Sequence, residues 1–173
     1  MNKIDRLKDL DSDKLIDVVK NYRQYDYEED LRTEAILILE ERGISKEQLQ
    51  LTGNFKNKKY ENAEDLYHSF TMNSKITLVF YGIILLTNLL SPMILKVNES
   101  LGFLILMLGV GSLIFFLVFF IKSFMNQNQF YKSIGQEYGT EGALLYLFLG
   151  LPLYFLMYFY FLNQMKQKMK EIR

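Results

Sequence analysis

The sequence predicts an all-α membrane protein, a small N-terminal helical domain followed by three transmembrane helices. Three observations lead there. No charged residue occurs in 76–95, 101–121 or 142–162, and 20 residues of α-helix measure roughly 30 Å, the thickness of bilayer hydrocarbon. The first 74 residues hold no such stretch and show instead short apolar stripes of helical period. The net charge of zero conceals a segregation: residues 1–74 carry 12 Lys plus Arg against 16 Asp plus Glu, and residues 75–173 carry 8 against 4.

The soluble acidic module is assigned to 1–60. Leu15, Val18, Val19 and Tyr22 form one stripe, and Leu31, Ala35, Ile38 and Leu39 form another. Asp26 and Glu29 have capping-box spacing, with Glu28 and Asp30 adding negative charge at the positive end of the helix dipole. Gly43 stands where a left-handed C-cap is wanted. Ser45 and Gln48 make a second capping box with Ile44 and Leu49 as its hydrophobic staple, and Gly53 ends that helix. Three short helices follow. A core this small rarely suffices alone, so its apolar faces are expected to find a second copy, the membrane-proximal helix or another protein.

The run "DKLIDVVKNYRQYDYEEDLRTEAILILEERGIS" (13–45) combines a Leu-Ile-x-x-Val stripe, a Tyr and an Ala-containing helix closing in Glu-Arg-Gly. It resembles a short helical module at the start of many uncharacterised bacterial membrane proteins. The resemblance implies a membrane-anchored accessory protein with no known activity.

Residues 61–75 are a membrane-proximal helix or linker. Leu66 and Phe70 share a face there, and the segment can run straight into the first span. The link "KVNES" (96–100) allows only a hairpin between the first two spans. In 122–141, Tyr131, Ile134 and Tyr138 extend the second helix beyond the membrane until Gly135 and Gly139 break it. Pro152 should kink the third span around Gly150, and 163–173 form a basic tail.

Within the spans, Thr77, Tyr81, Asn88 and Ser91 share one face of the first, with Asn88 near mid-bilayer. An unpaired amide in hydrocarbon is costly, so Asn88 is expected to point into the bundle. Tyr146, Gly150, Tyr154 and Tyr158 make a comparable ridge on the third span. These stripes read as interhelical polar contacts or, alternatively, as the lining of a pocket or narrow pore. Gly102, Gly109 and Ser112 form a smooth strip on the second span that lets a neighbouring helix approach closely.

Several chemistries are excluded. Without Cys there are no disulfides or thiolate sites, and the single His68 with Glu64 cannot complete a zinc set. "LMLGVGS" (106–112) lacks the Gly-Lys-Ser/Thr ending of a phosphate loop. The spans hold no carboxylate, imidazole or cation for catalysis or ion relay. No catalytic residue, metal, cofactor or nucleic-acid partner is expected. The expected role is a structural or interaction subunit whose partners are the lipid bilayer and another membrane or cytoplasmic protein, or a second copy. The alternative is an oligomeric channel or transport component lined by the tyrosine and Asn88 stripes.

Tyr, Phe, Lys, Asn and Ile are heavily used and Trp is absent, as in an AT-rich bacterial genome, and the N-terminus has no signal-peptide pattern. The expected location is the bacterial cytoplasmic membrane, multi-pass, with the N-terminus cytoplasmic. Three crossings then put the C-terminus outside, against the pull of Lys166, Lys168, Lys170 and Arg173. The competing reading makes 142–162 re-entrant at Gly150–Pro152 and returns the tail to the cytoplasm.

Overall fold

A computed structural model of the protein describes residues 3–172. Met1, Asn2 and Arg173, the last cation of the predicted tail, lie outside the described residues. The helices are α1 Lys3–Lys8, α2 Ser12–Asn21, α3 Glu29–Glu41, α4 Lys46–Leu51, α5 Lys58–Leu95, α6 Glu99–Ser133, α7 Gly139–Gly150 and α8 Tyr154–Glu171. The chain divides into a unit ending at Glu61 and a unit Asn62–Ile172.

In the first unit, Leu7, Leu15, Val19, Ala35, Leu39 and Leu49 build an aliphatic core. Helix α1, which periodicity did not predict, contributes Leu7. Helix α2 is capped by the Asp11 carboxylate accepting from Lys14 N at 2.9 Å. Both arms of the Ser45–Gln48 capping box are formed, and Gly43 and Gly53 take φ of +88° and +71° to close α3 and α4. The box expected at Asp26 and Glu29 is absent: α3 is capped by Glu28 without a side-chain bond. Asp26 instead takes φ +54° inside a turn closed by Tyr27 N donating to Tyr22 O at 2.9 Å. A short polar side chain tolerates that left-handed backbone.

Arg32 was passed over by periodicity and holds this unit together. It is buried at 5% exposure, stacked between the rings of Tyr22 (4.4 Å) and Phe55 (4.3 Å). Its guanidinium donates to Val19 O at 3.2 Å, Phe55 O at 2.8 Å and Glu29 Oε1 at 2.8 Å. Burial pushes the Glu29 carboxyl up, but the Tyr22 hydroxyl and Arg32 outweigh it and hold the group below its ordinary value.

Helix α5 opens with Asn57 accepting from Tyr60 N at 3.0 Å and continues unbroken to Leu95. The turn to α6 is tight: a Cβ on Gly102 would fall 2.7 Å from Leu95 Cα, so only hydrogen fits. Helix α6 ends at Ser133, and Gly135 and Gly139 follow at φ +78° and +73°.

The predicted third span is not one helix. Two helices, α5 and α6, are long and apolar enough to cross a membrane. The 142–162 segment is divided at Leu151–Leu153 into α7 and α8, which fold back on each other. The rings of Tyr146 and Phe161 stand 4.8 Å apart, whereas one straight helix would hold those positions about 22 Å apart. Pro152 supplies no N–H and crowds the carbonyl one turn back. The 12 residues of α7 reach only about 18 Å.

Candidate functional site

Polar side chains of the apolar segments converge at the tip of the α7–α8 hairpin. Helical spacing puts Ser74, Thr77 and Tyr81 on one face of α5, and Phe116, Phe120, Ser123 and Gln127 on one face of α6. Breaking a helix at Pro152 leaves a carbonyl without its intrahelical donor. Tyr81 Oη donates to that Pro152 carbonyl at 2.6 Å. Tyr154 Oη donates to Ser74 O at 3.3 Å, and the Ser123 and Tyr146 hydroxyls pair with each other.

Rings close the site around these bonds. Phe120 lies 4.9 Å from Tyr146 and 5.7 Å from Tyr154, and Phe116 meets Tyr154 edge-on at 5.7 Å. Tyr146 and Tyr154 are each only 1% exposed. Gly150 is required here, since a Cβ would sit 2.9 Å from the Phe120 ring.

Of the predicted polar residues, Tyr81, Tyr146 and Tyr154 meet in this layer. Thr77 is buried beside it with its hydroxyl bonded back to Asn73 O at 2.8 Å. Tyr158 is buried further along α8, its ring edge-on to Phe159 at 4.9 Å. Ser91 is buried far down α5 and does not join the layer. Asn88 differs from expectation: it is exposed, and its amide donates to Ile84 O of its own helix at 2.8 Å. Thr87 takes the inward place, because Gly109 makes room there; a Cβ on Gly109 would lie 2.7 Å from Thr87 Oγ1. Gly102 and Ser112 are buried on the same side of α6.

The α6 face continues beyond the span in a way not anticipated for Gln127. That side chain is fully buried, and its amide has no hydrogen-bond partner among the described residues; the same holds for the hydroxyls of Ser74, Tyr131 and Tyr138. The Tyr131 and Tyr138 rings lie 5.1 Å apart, and burial, with Tyr160 and Glu171 nearby, pushes the Tyr131 hydroxyl up to about 12. The signal was present as spacing, since Phe116, Phe120, Ser123, Gln127, Tyr131 and Ile134 advance by three or four.

The assembled groups are phenols, hydroxyls, one amide and backbone carbonyls, which donate and accept hydrogen bonds at neutral charge. Among the described residues, no three of His, Cys, Asp and Glu cluster as metal ligands, and His68 is exposed. No family model matches the chain, and no curated protein or solved structure matches it.

Proposed function

We propose that the chain is a two-span protein of the bacterial cytoplasmic membrane that serves as an accessory or scaffold subunit, docking a protein partner through the α7–α8 hairpin. One observation carries this reading. The inner side of the hairpin is consumed by the tyrosine layer, while Phe148, Leu151, Phe155, Leu156 and Phe159 on its outer side are exposed. Its tip lies level with Tyr81 and Phe120, near the outer ends of 76–95 and 101–121. From there the hairpin rises beside the parts of α5 and α6 outside those stretches, as Tyr154 on Ser74 and Tyr138 near Tyr131 require. An apolar face that starts at the edge of those stretches and continues beside helix outside them suits a protein cover. The likeness of 13–45 to modules of uncharacterised bacterial membrane proteins points the same way.

Two crossings put both ends of the chain on one side, in place of the N-inside, C-outside arrangement. Lys75, Lys122, Lys132, Lys166, Lys168 and Lys170 then share that side, and Lys96 alone lies in the opposite link. The positive-inside bias assigns the shared side to the cytoplasm. Single cysteines test this with an impermeant maleimide on intact cells: Asn98→Cys should label, and Asn2→Cys and Lys170→Cys should not.

The docking role is tested with a photocrosslinking residue at Phe155 and, as control, at Leu89, which is exposed mid-span. Phe155 should give discrete protein adducts in native membranes, and Leu89 should give lipid. Lipid adducts alone at both positions would end the docking reading.

A further inference from the structure

The first unit holds a feature that the accessory role does not use. A cleft of about 740 Å³ is lined by Lys20, Lys46, Lys56 and Lys58, together with Gln50 and Asn57. Four cations and no carboxylate line it, although residues 1–74 carry an excess of acids. Among the described residues none of these four lysines is in an ion pair.

The cleft is built rather than incidental. Asn57 N donates to Lys20 O at 3.2 Å and Asn57 Nδ2 to Asn21 Oδ1 at 2.7 Å, tying the segment before α5 to the end of α2. Buried Arg32 holds the Phe55 carbonyl at 2.8 Å, which fixes the connecting strand of chain between them. Lys20 Nζ rests 3.5 Å from Asn54 Oδ1, and Lys46 Nζ stands 5.4 Å from the centre of the Phe55 ring. Like charges gathered in one concavity repel each other, and a bound anion removes that repulsion. The volume falls within the range of small-molecule sites. Arg32 and Lys46 both already sit over the Phe55 ring, so charge and not stacking is left for recognition.

We infer that this cleft binds an anion bearing two or more phosphate groups, held by the ammonium groups of Lys20, Lys46, Lys56 and Lys58. Lysine is a common phosphate ligand that acts as a point charge and imposes no planar geometry. The same chemistry is offered by a free polyphosphate and by two or more neighbouring single-phosphate headgroups at the surface of an anionic bilayer.

Two probes separate these sources on the full-length protein. Inorganic triphosphate is titrated calorimetrically in neutral detergent at low and high salt. Hydrogen exchange over 46–58 is compared in phosphatidylglycerol and phosphatidylcholine vesicles. For a free ligand, triphosphate binds, salt weakens it, and Lys46→Gln with Lys56→Gln reduces affinity about tenfold or more. For a headgroup, triphosphate is silent, and protection appears only on phosphatidylglycerol and disappears in the same double variant. Lys14→Gln, outside the cleft, should change neither. Binding of neither probe, or an equal loss in Lys14→Gln, overturns the assignment.

Discussion

At the centre of the N-terminal unit a cation, Arg32, lies between two rings; at the centre of 62–172, the neutral hydroxyls of Tyr81, Tyr146 and Tyr154 take that place. The outer surfaces are reversed, charged around the first unit and apolar along α5, α6 and the α7–α8 hairpin. The difference follows from the surrounding solvent. Glu29, the partner of Arg32, keeps 61% of its side chain exposed, so the pair is only half removed from water. Along helices apolar enough to cross a membrane no such relief is at hand, and the Pro152 and Ser74 carbonyls are met by uncharged donors.

The largest test of this contrast removes the cation. Arg32→Ala should cost the first unit about 3 kcal/mol or more, because a buried carbonyl, a partly buried one and a carboxylate lose their donor. Hydrogen exchange should accelerate across α2–α4 and stay unchanged in α5 beyond Ile76 and in α6. Arg32→Lys should not rescue it, since an ammonium cannot span the three acceptors from between two rings. An unchanged exchange pattern would show that the aliphatic core alone carries the unit.

The counterpart in 62–172 is steric. Gly109→Leu drives a side chain into Thr87 and should cost about 2 kcal/mol, read as lower thermal stability in detergent with the first unit unaffected. A variant as stable as the parent would mean that α5 and α6 are not pressed together there.

A smaller effect is expected at Asn88. Its amide bonds within its own helix, so Asn88→Leu should change the stability of the single chain by about 0.6 kcal/mol or less. A loss of self-association in detergent would mark the exposed amide as a contact between copies. Loss of an ion or solute flux with the oligomer intact would favour the channel alternative.

The smallest effect is a response to acid. Asp11 is held below its ordinary carboxyl value chiefly by the Lys14 N–H, and Glu29 by Tyr22 and Arg32 against the opposing effect of burial. Depressed carboxyls stabilise the fold above their unfolded values, near 3.8 and 4.5, and that stability is lost as pH falls through the lower folded values. Acid strong enough to pass below those folded values should therefore admit pepsin to the first unit before the second. Cleavage starting in α6–α8 would contradict this order.

Local physics was legible without a structure. Uncharged length marked three stretches, and 76–95 and 101–121 lie in the two helices long and apolar enough to cross a membrane. Periodicity and capping grammar placed α2, α3 and α4, and Ser45, Gln48, Gly43 and Gly53 act within their own turn of chain. Gly102 and Gly109 also stood out by spacing, and Leu95 and Thr87 lie against them.

What required the tertiary structure were choices between neighbours. Asn88 and Thr87 are adjacent and face directions about 100° apart, and the position of Gly109 on α6 decided which turned inward. Asp26 matched a capping pattern but was drawn into the turn that brings Tyr22 beside Arg32. An uncharged run of bilayer length fits one helix or two folded around Pro152, and length cannot distinguish them. The fold-back depends on Tyr81 reaching the freed carbonyl and on Tyr146 meeting Phe161, contacts between residues far apart in the chain.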